Sequence, residues 1–171
     1  MIFAWDVGSS VTPDECALLA WLAKDRDVLE VGSWLGRSTI ALASTARHVT
    51  AIDWHHGDFY AGEMDTEAEF RQNLARYEVA DRVQVVVARV EEVPIQNGIF
   101  GGVFIDAAHD ADSVRAHWQI AVDAANESGW IAFHDYGRFD VTEVLDELMP
   151  DGPCSLAGTI AVYRRRDVAT P

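Results

Sequence analysis

Two hydrophobic rhythms alternate along the chain. The stretch TPDECALLAWLAK, residues 12–24, has apolar residues at helical spacing behind Thr12 as N-cap, with Pro13 at the first helical position and Glu15 three residues past the cap. It predicts a helix. The apolar run Val28 to Val31 predicts a buried strand, the stretch from about Ser38 to Thr45 a helix, and HVTAID (48–53) a second strand whose β-branched residues end on Asp53. A helix over 66–79 follows, then the strands RVQVVVA (82–88) and GGVFIDAA (101–108), the latter closing on Asp106. A helix from about Ala111 to Ala125, a strand WIAFHD (130–135), a helix VTEVLDELM (141–149) and a last strand TIAVYRR (159–165) complete the pattern. Strand and helix in turn predict a doubly wound α/β fold, a parallel sheet with helices on both faces.

With 171 residues, 49% of them hydrophobic, and no linker, repeat or low-complexity stretch, the chain is read as a single domain with a short N-terminal segment, 1–11. Thirteen Lys and Arg against 28 Asp and Glu give a net charge of −15, which would repel nucleic acid and an anionic membrane surface. The basic run Arg164-Arg165-Arg166 reads as a solvated strand end. Cys16 and Cys154 lack metal-ligand spacing and read as ordinary buried or semi-buried thiols. No segment has the pattern of a membrane span or a signal peptide, so a cytoplasmic protein is expected.

In a parallel sheet, ligands bind beyond the carboxyl ends of the strands. Four strands end on polar groups: Glu30-Val31-Gly32, Asp53, Asp106, and His134-Asp135. Together they would converge on one crevice. The turn after the first strand spaces Gly32 and Gly36 as G-x-x-x-G, neither the G-x-G-x-x-G wrap of a dinucleotide site nor a phosphate-binding loop ending in Gly-Lys-Ser/Thr. A nucleoside without phosphates fits this turn, with Asp53 accepting both ribose hydroxyls.

The strings EVGSWLGRST (30–39), IDW (52–54), FIDAAH (104–109) and FHD (133–135) resemble the class I S-adenosylmethionine-dependent methyltransferases. Among these the chain is most similar to the methyltransferase-24 family, related to catechol-type and macrolide-sugar O-methyltransferases, over about Thr12 to Tyr163. The resemblance implies a Rossmann-like, mostly parallel sheet of seven strands. It places Glu30, Gly32 and Ser33 beside the methionine part of S-adenosylmethionine and Gly36, Ser38 and Thr39 at the helix start. Asp53 would hold the ribose, and Trp54 would pack on the adenine or serve as a rim aromatic. Ala88 and Arg89 stand where relatives place a polar residue against the adenine, and Asp106 borders the cofactor.

In metal-dependent relatives a carboxylate ending the fourth strand and an adjacent pair ending the fifth hold a divalent ion that chelates two substrate oxygens. Here those residues are Asp106, His134 and Asp135, and the pair departs from the relatives' Asp-Asp, Glu-Asp or Asp-Asn. Imidazole is a poor magnesium ligand. The expectation is magnesium or manganese, with zinc behind them, on Asp106 and Asp135, His134 replacing one oxygen ligand or standing behind the others. His109, three residues after Asp106, occupies the place of a catalytic lysine in catechol-type relatives and is the expected general base beside Asp106. His55 and His56 would rim the pocket, and His55, His56 and His117 look exposed.

The activity implied is in-line methyl transfer to an oxygen of a small sugar, polyol or catechol-like phenol. Residues 54–66, or a second subunit in a homodimer, would cover the substrate. A non-catalytic protein binding the cofactor or a nucleoside on the same fold is the rival reading, while a nicotinamide-dependent reductase is disfavoured by the glycine spacing and the lack of a Tyr-x-x-x-Lys pair.

Overall fold

A computed structural model describes residues 2–58 and 62–168. Its first helix, α1 (Pro13–Ala23), opens with a reciprocal cap: Glu15 N–H donates to Thr12 Oγ1 at 3.4 Å and Thr12 N–H donates to Glu15 Oε2 at 2.7 Å. There follow β1 (Asp27–Val31), α2 (Arg37–Ala43), β2 (His48–Asp53), a small hairpin of β3 (Gly57–Asp58) and β4 (Gly62–Glu63), α3 (Glu67–Arg76) and β5 (Val83–Val87). The second half runs β6 (Phe100–Ile105), α4 (Ala111–Ala124), β7 (Ala125–Phe133), α5 (Val141–Leu148), β8 (Ser155–Ala157) and β9 (Ile160–Arg164).

Seven strands form one sheet in the order β5-β2-β1-β6-β7-β9-β8. The first five are mutually parallel, and β9 and β8 join antiparallel. This is the doubly wound, mostly parallel sheet that the strand-helix alternation predicts. Side chains alternate across it, so Val28 joins one core with Leu19 of α1, Ile40 of α2 and Phe70 of α3, while Leu29 joins a second with Trp118 of α4 and Leu145 of α5. Because β2 lies on one side of β1 and β6 on the other, the chain reverses direction there, and a crevice opens above the carboxyl ends of these strands.

The N-terminal segment is tied down by Arg37 of α2, whose guanidinium donates to the carbonyls of Val7 and Val11. Four strands depart from the sequence pattern. The hairpin β3-β4 and the short β8 are too brief to show a period, and β7 starts at Ala125, within the polar stretch that precedes WIAF, because Ala125 pairs with Phe100 across an irregularity in register. Cys16 is buried, Cys154 is exposed, and both are free thiols. No helix among the described residues is long and apolar enough to cross a membrane.

Candidate functional site

The crevice holds a cavity of about 380 Å³, within the usual range for a small-molecule site. Of the strand-end groups, Gly32, Asp53 and Asp106 line it, together with Trp54, Ala88, Arg89 and His109. Glu30, Ser33, Gly36, Ser38, Thr39, His134 and Asp135 are not among the residues that line it; they stand behind its wall or beside it. The two turn glycines answer to the protein itself. A Cβ on Gly32 (φ 83°) would lie 1.9 Å from the carbonyl oxygen of Asp106, and one on Gly36 (φ 95°) would lie 2.9 Å from the Phe70 ring. Close approach of strand ends and helices therefore demands these glycines, where the sequence alone points to approach by a ligand.

Alternation along β1 puts Glu30 on the face of Val28, beneath α2, where Thr39 Oγ1 donates to Glu30 Oε2 at 2.5 Å. Glu30 is fully buried, and burial pushes its carboxyl up to about 8 against the opposing hydrogen bonds from Thr39 and Ser38. Its Oε1 has no hydrogen-bond partner among the described residues.

At the other side of the turn, Asp53 is held by main chain. Its Oδ2 accepts from Ser33 N–H and Trp34 N–H, and its Oδ1 from His55 N–H, each at 2.7 Å. A carboxylate offers about four acceptor positions, so the oxygen with one to spare is Oδ1. Beside it, the Arg89 guanidinium sits 4.9 Å from the centre of the Trp54 ring, forming one wall with Ala88. His55 and His117 differ from their expected exposure. His55 is buried against Phe70 with Nδ1 2.9 Å from Thr66 Oγ1, and burial lowers its pKa. His117 is buried on α4, its Nε2 3.0 Å from Glu91 Oε1. An amphipathic helix explains it: His117 lies on the same face as Val114, Trp118 and Ala121.

The polar end of the crevice is built by side chains. His109 precedes Asp110, the N-cap of α4, and its Nε2 lies 3.0 Å from Asp135 Oδ2. Its ring packs against Phe139 with centroids 4.8 Å apart. His134 follows Phe133, which packs with α4 and α5, so its side chain emerges on the opposite face, toward α1. There its Nδ1 stands 3.3 Å from Asp106 Oδ1 and 3.4 Å from Asp135 Oδ2, and its Nε2 3.6 Å from Glu15 Oε2. Burial alone would lower the His134 pKa, but Asp106, Asp135 and Glu15 outweigh it and push the ring up to about 12. Burial likewise opposes ionisation of Asp135, yet His109 and His134 hold its carboxyl well below the usual range.

Glu15 is the functional candidate that the sequence conceals. It reads as a helix cap, and nothing local indicates that strand topology brings it beneath His134. Backbone strain marks the same neighbourhood. Trp34, His55, Asp135 and Phe139 all have φ between 44° and 60°, and all four lie around the crevice; the other two such residues among the described ones, Asp25 and Glu78, merely follow helix ends. Of residues 54–66, Trp54, His55, Gly57, Met64 and Thr66 line the cavity, while 59–61 lie outside the described residues.

Asp106, His134 and Asp135 each offer one ligand atom, all within 4.8 Å of one another. Three ligands about 2.0 Å from a tetrahedral ion are separated by roughly 3.3 Å, close to the spacings found from His134 Nδ1. That nitrogen is buried and has no directed hydrogen bond among the described residues. The donor set thus fits a divalent cation. A proton on the imidazole or a metal ion among the three side chains would answer the same negative charge.

Residues 29–136 match the methyltransferase-24 family, described as a methyltransferase domain. The chain belongs to this family. No curated protein matches this methyltransferase-24 chain in sequence. Among solved structures, the family member is similar to cofactor-bound Rv0187 from MTB, at 26% identity and a TM-score of 0.71, over 92% of this chain and 82% of that one. An O-methyltransferase from Bacillus cereus in complex with SAH aligns over 96% of this chain and 69% of its own, at 21% identity and a TM-score of 0.59. The tRNA (m1A58) methyltransferase TrmI from Aquifex aeolicus aligns over 85% of this chain at 15% identity and a TM-score of 0.67, and the methyltransferase-24 chain spans 55% of its length. These last two likenesses establish the shared class I methyltransferase fold alone.

Proposed function

We propose that this protein transfers the methyl group of S-adenosylmethionine to a hydroxyl of a small hydroxylated molecule: a sugar, a polyol or a catechol-like phenol. The observation that carries the reading is the pairing of His109, on the wall of the cavity beside Asp106, with Asp135 behind it at 3.0 Å. A carboxylate accepting from Nε2–H would leave the lone pair of the neutral ring on Nδ1, which is buried in this structure, so the ring would have to turn before that nitrogen takes a proton. His109 is then the general base and Asp135 fixes its tautomer. Asp53 and the wall of Trp54, Ala88 and Arg89 would hold the ribose and adenine, with Gly32 and Asp106 toward the methionine.

Glu30, Ser33, Gly36, Ser38 and Thr39 would shape the turn from behind. Asp106, His134 and Asp135 would hold a divalent cation, which when bound lowers the pKa of a coordinated substrate hydroxyl. The chain's own share is alignment: the crevice walls would fix donor and acceptor while His109 removes the proton as the methyl moves. The charge of −15 favours a small acceptor over a polyanion, although the Aquifex neighbour acts on tRNA.

Calorimetric titration with S-adenosylmethionine, followed by a screen of vicinal diols and catechols for methylated product by mass spectrometry, tests the proposal. Cofactor binding and methylated product are the expected results; binding without any product favours the non-catalytic reading, and no binding overturns both.

A further inference from the structure

Glu15 is 1% exposed, an unusual state for a carboxylate whose cap could be made at a helix surface. Its Oε1 accepts from Thr159 N–H at 2.7 Å and Thr159 Oγ1 at 3.0 Å. Its Oε2 accepts from Thr12 N–H at 2.7 Å and Thr12 Oγ1 at 2.8 Å, and faces His134 Nε2 at 3.6 Å. Four donors from the two ends of the fold hold this carboxylate in place. The β8-β9 turn is also shaped around it, since a Cβ on Gly158 would lie 2.3 Å from Glu15 Oε1. A cap accounts for the contacts with Thr12 but not for those with Thr159, Gly158 and His134. What the arrangement does accomplish is to set a carboxylate 3.6 Å from the far nitrogen of a buried imidazole, a charge contact, while the near nitrogen faces two carboxylates; neither ring nitrogen has a directed hydrogen bond among the described residues.

We propose that Glu15 is a positioning residue that holds His134 with Nδ1 directed between Asp106 and Asp135, and that this nitrogen makes the site prefer a first-row transition ion such as manganese(II) to magnesium. The inference rests on the reading that Asp106, His134 and Asp135 hold a cation. Magnesium takes oxygen ligands and sheds water reluctantly, whereas imidazole suits the later divalent ions. A carboxylate on the outer nitrogen of a ligating histidine fixes its tautomer and raises its basicity. Glu15 supplies that carboxylate from an element remote in sequence, with no contact to substrate.

The test uses the full chain without cofactor or acceptor. Manganese(II) binding is read by the loss of the free-ion electron paramagnetic resonance signal, magnesium by competition, and folding of each variant by thermal melts. Wild type is expected to bind manganese with magnesium competing poorly. Glu15→Gln, which keeps one oxygen to accept from the threonines, should lose roughly 10- to 100-fold in manganese affinity. His134→Asp, which makes the pair all-oxygen, should reduce the manganese-over-magnesium preference by at least roughly tenfold. In the His134→Asp background, adding Glu15→Gln should no longer weaken manganese binding, because the histidine through which Glu15 acts is gone.

Unchanged manganese affinity in Glu15→Gln overturns the proposal, as does an equal loss in the His134→Asp background, which would mark Glu15 as merely structural. Should Glu15→Gln fail to fold, an unchanged ion preference in His134→Asp overturns it alone. If wild type binds neither ion, the cation reading of the site falls as well, and cofactor titration of the same sample then tells whether the methyltransferase reading stands.

Discussion

The two ends of the crevice are built in different ways. At one end Asp53 is gripped by three backbone N–H groups at 2.7 Å, so the loop conformation itself sets where its carboxylate points. At the other, Asp106, His109, His134 and Asp135 are placed by one another, through side-chain contacts of 3.0 to 3.4 Å between imidazole and carboxylate. A main-chain clamp is rigid and tolerates no change of the acceptor it surrounds. A side-chain cluster is adjustable, because the place of each member depends on the charges of the others. The first suits an invariant ligand, the nucleoside of the cofactor; the second suits a reacting centre.

Substitutions at each end should separate these roles. The largest effect is expected for His109→Ala, which should lower kcat for methyl transfer by roughly 10²- to 10⁴-fold while leaving S-adenosylmethionine affinity nearly unchanged, measured by turnover and calorimetry on one preparation. Parallel loss of cofactor affinity would erase the distinction between the ends. Asp53→Ala should do the reverse, weakening cofactor binding by roughly 100-fold as a charged acceptor is lost and three N–H donors are left without it. Calorimetry reads this directly.

Arg89→Ala should have a smaller effect, on the order of a few-fold in cofactor affinity, through loss of the guanidinium over the exposed Trp54 ring. Quenching of tryptophan fluorescence on cofactor titration would report it. A last effect concerns stability, away from both ends. Glu30 has a folded pKa of about 8 against an ordinary 4.5, so between those values the folded chain binds more protons than the unfolded chain. Its protonated form favours the fold, and stability should fall as pH rises from about 4.5 to about 8. Glu30→Gln cannot ionise, so its melting temperature should gain on wild type progressively across that window.

The same contrast governs what can be read from the chain without coordinates. Asp53 and Asp106 announce themselves because an apolar strand ends on a carboxylate, and the helices with caps, such as α1, show within a residue or two of their observed bounds. Local patterns carry local facts. Glu15 could be recognised only as a cap, since its other partners, Thr159 and His134, come to it through the crossing of α1 over the sheet. The burial of His55 and His117 was hidden for a related reason: a polar ring carries no hydrophobic signal, and each is enclosed by partners, Thr66 and Glu91, whose positions depend on tertiary contacts. The strand start at Ala125 was equally obscure, because pairing with Phe100 recruits residues whose own composition suggests a turn.

The Glu15 carboxylate also sets an order of assembly. It bridges Thr12 and Thr159, and the latter bond spans 144 residues of chain. As the protein emerges from the ribosome, Asp53, Asp106 and Asp135 are all made before Thr159, which lies just ahead of β9. Until that hairpin docks, Glu15 lacks two of its four hydrogen-bond donors, so the polar end of the crevice is completed last, with the closing of the sheet.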